Sequence, residues 1–385
     1  MAEQRALVVG AGIGGLTAAI GLQRAGWDVS VFERAEAIAQ VQVGTGLHIW
    51  PNAMNAFKQL ELDRAVYEAG VEVRVVKFIR SSGARLAALD AGASGDRLGA
   101  STVGIRRTHL HRVLLDHLGE GAVTLGAECV GFAQDADGVA LKLDGGAEER
   151  GELLVGADGL RSTVRAQLHG EDEPLYHGYT SWLGLVRPER QPVPQDVLTV
   201  VWGRGGRFIF YHLEPGLLGW IGNLDAPEGE RVPEGERREK VLEFFGSWAE
   251  PVPSLVRASV ESEIFRMDLY DRNPIARWGE GRVTLLGDAA HPMTPNIAQG
   301  ACMGVEDAVE LPKHLAEAGG DIAAGLRVYE ASRHRRTAPV LKRARAFGTM
   351  GRWTNPVACA MRDNTIRVFQ RLIVKQEERL QSYVA

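Results

Sequence analysis

Six consecutive residues near the start of the chain, Gly10-Ala11-Gly12-Ile13-Gly14-Gly15, constrain its fold more than any other segment. They follow Ala6-Leu7-Val8-Val9, an apolar run long enough for one buried parallel strand and too short for a helix. Leu16 to Ala25 then reads as a helix, with Leu16, Ala19, Ile20 and Leu22 apolar, and Val29-Ser30-Val31-Phe32 reads as a second strand ending at Glu33. A G-x-G-x-x-G turn between strand and helix, with an acid closing the next strand, lets backbone rather than side chains meet a pyrophosphate. Gly10 permits the tight turn, Gly12 admits the pyrophosphate, and Gly15 lets helix and strand pack closely. Gly14 stands at the helix start, among free N–H groups whose partial positive charge favours phosphate. Glu33, 18 positions beyond Gly15, can accept hydrogen bonds from an adenosine ribose, with Arg34 beside it. The chain reads as a dinucleotide binder. This segment alone leaves NAD and FAD both open.

Composition narrows the class. Lys and Arg total 44 against 49 Asp and Glu, a net charge of −5, so the chain lacks the broad positive field of a nucleic-acid binder. At roughly 150 residues per domain, 385 residues make two or three structural units. No apolar run approaches the roughly 18 residues of a membrane span, and Met1-Ala2-Glu3-Gln4-Arg5 runs straight into the first strand with no signal peptide visible. Cys129, Cys302 and Cys359 are far apart with no CxxC pair, which excludes a disulfide scaffold and a cysteine–zinc cluster and fits a reducing cytoplasm. No membrane, nucleic-acid or metal partner is expected. The 46 glycines exceed the usual ~7% share, and further turns beyond the first decide between the two dinucleotides.

Glu152-Leu153-Leu154-Val155-Gly156-Ala157-Asp158-Gly159 is a buried strand and turn, leading through Arg161 to Arg165 into a helix start. Arg282-Val283-Thr284-Leu285-Leu286-Gly287-Asp288 is another strand ending in an acid. It continues through His291-Pro292 and Pro295-Asn296-Ile297-Ala298-Gln299-Gly300 into a helix with Ala301, Val305, Ala308 and Val309 on one face. Singly, each is compatible with an ordinary turn, Asp158 a local cap and the prolines stiffening a loop. Together and in this order they resemble the three signatures of single-component (group A) FAD-dependent aromatic hydroxylases, from Leu7 to about Arg345.

The resemblance implies an α/β plus β architecture: a Rossmann-like FAD-binding domain with an inserted antiparallel-sheet substrate domain and a C-terminal helical region. The expected boundaries are 1–72, 101–175 and 272–350 for the FAD domain, 73–100 and 176–271 for the substrate domain, and 351–385 for the helical segment. It also implies that Asp288 accepts a ribityl hydroxyl, and that Pro295, Ala298, Gly300 and Ala301 bring a helix N-terminus to the anionic edge of reduced flavin. Arg107 is expected at the FAD phosphates or flavin edge, the Cys129 backbone at the adenosine, and Gly44 and Gly46 in a loop, Val43 to Ala53, close to the ring. Arg106 is expected to be solvated, and His109 and His111 to lie on a helix surface rather than in a metal site.

The activity so implied uses NAD(P)H and O2 to hydroxylate a small aromatic or heteroaromatic substrate through a C4a-hydroperoxyflavin. With only one nucleotide fingerprint, NAD(P)H binds without a Rossmann domain of its own. The branch resembled most is that of salicylate-, 6-hydroxynicotinate- and urate-type hydroxylases, although urate-type members have an acid where this chain has Asn296. An alkene epoxidase of the same family is the alternative, and a redox-inactive FAD-binding protein a further one. A flavin halogenase is disfavoured because no Trp-x-Trp-x-Ile-Pro segment occurs. A monomer or a homodimer is compatible with the sequence.

From Tyr179 to about Asp268 short strands alternate with Gly- and Pro-rich turns: Ser181–Val186, Val197–Trp202, Arg207–Leu213, Leu217–Asn223 and Val260–Phe265. The two-residue period of Arg207–Leu213 sets Arg207, Ile209, Tyr211 and Leu213 on one face and Phe208, Phe210 and His212 on the other. Which face meets the flavin is open. Arg207 is the candidate substrate ligand, His48 the candidate base, titrating near 6.5, and Tyr211 its relay or hydrogen-bond partner. Past Gly319 the chain is helical and basic, which reads as a solvated face, and Met361 to Leu380 as a terminal helix on the body or on a second subunit.

Overall fold

In the computed structural model, which describes residues 4–42 and 44–385, two large sheets, two three-stranded ones and a set of long helices build the described part of the molecule. The first residues of the chain and Val43, which opens the expected flavin-proximal loop, lie outside the described residues. A five-stranded parallel sheet runs in the order Val283–Leu285, Leu153–Gly156, Arg5–Val9, Asp28–Glu33, Val123–Leu125. The strands Val283–Leu285, Leu153–Gly156 and Arg5–Val9 are almost wholly buried, as parallel strands between helical layers are, while the edge strand Val123–Leu125 is largely exposed. The helices Ile13–Arg24 and Gly300–Glu317 pack together against it, close enough that a Cβ on Gly21 would stand 2.5 Å from the Ala308 carbonyl oxygen. This is the Rossmann-like body that the glycine turn requires.

The second body is a seven-stranded sheet with strands Val75–Arg80 and Arg85–Asp90 at one end and Phe265–Asp271 at the other. It is antiparallel except for one pair, Val197–Trp202 with Val75–Arg80, which runs parallel. The expected strand Val260–Phe265 is not formed. Glu261–Glu263 is a short 3-10 turn whose Glu261 carboxylate accepts the Arg237 backbone N–H at 2.8 Å, and the strand begins only at Phe265. Capping the neighbouring helix start outweighs the local strand preference.

The strand Gly206–Glu214 lies in the middle of this sheet and separates two clusters. Phe208 and Phe210 pack with Trp220 and Phe245 beneath the helices Arg237–Phe245 and Val252–Ala258. Tyr211 and Leu213 pack with Trp202, Trp50 and Phe347 on the opposite face, which looks toward the parallel sheet. Covering one face with two helices leaves the other for the site.

The basic helix Ile322–Gly351 is not a solvated face. Arg333 is fully buried between Glu306 and Asp307, Arg336 pairs with Glu306, and Arg345 holds Asp271 at 2.7 Å. These arginines pair with carboxylates from other elements. The terminal region is two helices, Pro356–Val368 and Gln370–Gln381.

Candidate active site

A cleft of about 550 Å³ opens at the carboxyl ends of the parallel strands, lined by Gly10, Gly12, Glu33, Arg34, Arg107, Cys129 and Asp158 among others. The glycines divide by role. A Cβ on Gly10, whose φ is +102°, would stand 2.5 Å from the Ala157 carbonyl oxygen, and one on Gly15 would stand 2.0 Å from the Gly10 carbonyl oxygen. Both are held by packing. A Cβ on Gly12 would meet nothing within 4 Å, so the space above it belongs to the cleft. Gly14 faces Leu286, whose side chain would be 3.0 Å from an added Cβ, and it serves helix packing.

Glu33 accepts the backbone N–H groups of Ala11 and Ala35 at 2.8 and 2.9 Å. Each carboxylate oxygen keeps a second acceptor site toward the cleft. Asp158 accepts from the Ser162 hydroxyl at 2.5 Å and from the Thr163 N–H at 2.8 Å, so it does act as a local cap while also lining the cleft. Burial pushes the Cys129 thiol up to about 11, which keeps it neutral. The Arg107 guanidinium is pushed down by burial, opposed by the Asp288 charge, and its Nε has no partner among the described residues.

Asp288 does not line this cleft, but its charge acts on Arg107, which does. Surrounding protein raises its carboxyl above the usual range, while the residue keeps an exposed surface. Gly300, at the start of the helix Gly300–Glu317, would place a Cβ 3.9 Å from Asp288 Oδ1. Just before it, Ala298 sits in the left-handed region at φ 51°, a strained setting for a residue with a Cβ. Pro295 is exposed and Ala301 half-buried on the same approach. An open diphosphate-sized space over Gly12, an unpartnered cation at Arg107 and an unbonded acid at Asp288 fit FAD laid from Glu33 to the helix N-terminus.

A buried network fixes the turn that carries Asp288. Asp307 accepts the Gly287 N–H at 2.9 Å, His291 Nε2–H at 2.6 Å and Arg333 Nε–H at 2.5 Å. Burial alone would raise the Asp307 carboxyl, but the His291 and Arg333 charges outweigh it and bring it down to about 2. Arg165, also buried, donates to the Ala289 and Ala290 carbonyls at 3.1 and 3.2 Å. Sequence reading passed over Asp307, Arg333 and Arg165. The available signal was an acidic pair, Glu306-Asp307, inside an otherwise apolar helix stripe.

His111 also departs from expectation. It is buried against the glycine turn, where Nε2–H donates to the Ala11 carbonyl at 2.8 Å and Nδ1 faces Gln42 Nε2 at 3.3 Å. Arg106 is not solvated either: it is half-buried, 3.7 Å from the Glu214 carboxylate, and the neighbouring His109 ring reaches the Ala69 carbonyl at 3.3 Å.

On the substrate side, His48 lies on the strand Gly46–Ile49, and its ring packs against Tyr211 with centroids 3.7 Å apart and planes tilted by 39°. Gly46 makes room for this arrangement, since a Cβ there would run into the Leu213 side chain at 2.2 Å. His48 Nε2 has no partner among the described residues. Burial pushes its pKa down to about 3, so it is neutral where it was expected to titrate near 6.5. Tyr211 is pushed well above the usual phenol range by the same burial.

Arg207 lies four residues from Tyr211 on the same face, about 13 Å along the strand. It is held between Trp202 and Phe347, with its guanidinium carbon 5.6 and 5.1 Å from the ring centres. Its Nη2–H donates to Asn296 Oδ1 at 3.0 Å, while Nε and Nη1 have no partners among the described residues. Asn296 Nδ2 in turn faces Tyr179 Oη at 2.6 Å and the Ala344 carbonyl at 3.1 Å. Ile209, between Arg207 and Tyr211, is only half-buried. The two groups thus stand at opposite ends of one lined surface.

The architecture and site define a flavoprotein monooxygenase. The family model described as "FAD binding domain" matches residues 3–202 and 250–344, and the chain belongs to that family. It is 40% identical over 362 residues to an aurachin C monooxygenase/isomerase of Stigmatella aurantiaca, covering 94% of this chain and 93% of that protein. The Klebsiella pneumoniae HpxO structure complexed with FAD and uric acid superposes with a TM-score of 0.92 at 30% identity, covering 98% of this chain and 96% of that one. A chloroplastic zeaxanthin epoxidase of Solanum lycopersicum is 35% identical over 376 residues, covering 90% of this chain and 54% of that protein. The protein is an FAD-dependent monooxygenase of the aromatic-hydroxylase type, with NAD(P)H as co-substrate.

Proposed function

We propose that this enzyme hydroxylates a small aromatic or heteroaromatic ring that carries an acidic hydroxyl or equivalent group, bound as its anion. The observation that carries this reading is Arg207. Burial brings it down only to about 10, so it stays cationic at neutral pH. Its fixed partner is a neutral amide, and two buried guanidinium nitrogens, Nε and Nη1, have no partner among the described residues. An unpaired buried cation is costly, and an anionic ligand atom would relieve it. Asn296 is not replaceable by a carboxylate without setting that charge against the Ala344 carbonyl, which its amide now faces.

FAD, when bound and reduced by NAD(P)H, supplies the activation of O2 for insertion of one oxygen atom into the substrate. The chain's own residues orient the ring. Arg207 neutralises the substrate anion, whose charge feeds into the carbon to be attacked, and Trp202 and Phe347 exclude water around that pair. His48, neutral beside Tyr211, offers one ring nitrogen to the substrate at the other end of the surface. In this reading its task is to hold a hydrogen bond, or to take a proton only once substrate is present. A cytoplasmic location belongs to the same proposal, supported by three buried, unbridged cysteines.

The test is Arg207→Gln, assayed against hydroxylated heteroaromatics and against neutral alkenes. Loss of a charge-assisted hydrogen bond of about 1.5–3 kcal/mol should raise KM for the anionic substrate about 10- to 100-fold. The FAD content should not change. An unchanged KM, or turnover of an alkene that ignores the substitution, would favour epoxidation instead.

His48 gives a separate expectation. The unfolded chain protonates it near 6.5 and the folded chain only near 3. The unfolded state therefore binds more protons as pH falls, and stability declines below about 6.5. Between pH 6.5 and 5 this residue should cost about 2 kcal/mol. His48→Gln should flatten that decline in thermal melts, and His48→Ala should slow hydroxylation with FAD binding near wild type. Melts of equal acid sensitivity would show that His48 is solvated in the folded enzyme.

A further inference from the structure

The helix Pro356–Val368 presents apolar residues on two sides. Its inner face is accounted for: Ile366 packs in the cluster of Tyr211 and Trp202, and Arg362 lies over Trp202 at 4.9 Å while donating to the Gly203 carbonyl at 3.1 Å. At 3.6 residues per turn, Val357, Met361 and Val368 fall within an arc of about 40° on the other side. That is the side a surface helix reserves for polar residues. Val357, Met361 and Val368 are at least 60% exposed, and Phe369 and Leu372, at the junction with Gln370–Gln381, are 50% and 51% exposed. Five large apolar side chains in a row with no cover mark a contact surface.

Charge identifies the partner. Arg367, Arg371, Lys375 and Arg379 are exposed on the same two helices, and among the described residues their side chains form no ion pair. The acids of this segment all turn inward: Asp363 to Arg80 and Arg362, Glu377 to Arg343, and Glu378 to Arg97 and Ser94. The face is thus apolar with a wholly basic margin. A second copy on a twofold axis would set this basic margin against itself, and no exposed acid of the two helices is there to meet it. An apolar stripe flanked by Arg and Lys is the pattern of a helix lying in the interface of a bilayer with anionic headgroups.

We propose that the outer face of these two helices docks the enzyme peripherally on an anionic lipid surface. The contact is made from one side. No helix among the described residues is long and apolar enough to cross a membrane, and peripheral docking departs from the expectation of no membrane partner. Docking there sets the outer side of the pocket wall against the lipid, because Arg362 and Ile366 belong to the helix that carries Met361.

The experiment is co-sedimentation of the FAD-loaded enzyme with mixed phosphatidylglycerol–phosphatidylcholine vesicles and with phosphatidylcholine alone. Binding should require phosphatidylglycerol and weaken as salt is raised. Arg371→Glu with Lys375→Glu should reduce affinity by at least about fivefold per charge. Met361→Asp with Phe369→Asp should abolish binding. Both variants should keep wild-type FAD content and melting temperature, so that a lost contact is separated from a lost fold. No binding by the wild type, or binding indifferent to phosphatidylglycerol and salt, would overturn the proposal. So would a concentration-dependent dimer in light scattering that Met361→Asp with Phe369→Asp dissolves, since a second copy would then be the cover.

Discussion

Replacing Asp307 by alanine is expected to be the most damaging single change in the cofactor body. Asp307 is fully buried and closes three contacts at once: the Gly287 N–H, His291 and Arg333. Removing one member of a buried ionic cluster strands the others and costs about 3–5 kcal/mol. Its carboxyl is held down to about 2 in the folded protein, against roughly 3.9 in an unfolded chain. The stability it lends is therefore present at neutral pH and lost only as pH falls below about 4 toward 2. The melting temperature should drop by roughly 10 °C. Because the Gly287 N–H lies on the turn that carries Asp288, FAD should also be retained poorly by whatever folds. A melting temperature within a degree of wild type would mean that Arg333 is satisfied by Glu306 alone.

Asp288→Ala should behave in the opposite way without cofactor. Burial already opposes the Asp288 charge, and no hydrogen bond from another residue to its carboxylate is formed among the described residues. The apo variant should be as stable as the wild type or slightly more so. With FAD the order reverses: loss of one charge-assisted hydrogen bond should weaken binding about 10- to 100-fold. Equilibrium dialysis and paired melts of apo and FAD-loaded protein read the two effects separately. Equal FAD affinity in wild type and variant would remove Asp288 from the cofactor site.

These two aspartates also show what a sequence can and cannot disclose. Asp288 was legible because its signal is local: a strand, an acid and a glycine-rich helix start in one short segment. The glycine turn was legible for the same reason, since positive φ and close backbone approach constrain residue type directly. Asp307 was not, because its meaning lies in Arg333 and in the Gly287 turn, on other elements. The basic helix misled for a related reason. A run of arginines looks solvated until Asp271, Glu306 and Asp307 arrive from elsewhere to pair with them. His111 differs from His109 by less than a turn of helix, and only the position of the Ala11 carbonyl decides which is buried. Alternation correctly grouped Arg207 with Tyr211 on one strand face. That the face looks inward depends on Phe208 and Phe210 being covered from behind by the helices Arg237–Phe245 and Val252–Ala258.

The strand order of the parallel sheet bears on how the enzyme is made. Arg5–Val9 leaves the ribosome well before its neighbour on one side, Leu153–Gly156, and beyond that lies Val283–Leu285. Until that last strand is synthesised Leu153–Gly156 lacks its outer neighbour, and the turn bearing Asp288 does not exist. Most of the chain must therefore emerge before FAD has a complete site. Pairings this distant in sequence form slowly, and exposed parallel edges invite aggregation meanwhile. Yield of active enzyme on overproduction should accordingly follow the supply of flavin and the pace of translation more than the intrinsic stability of the finished fold.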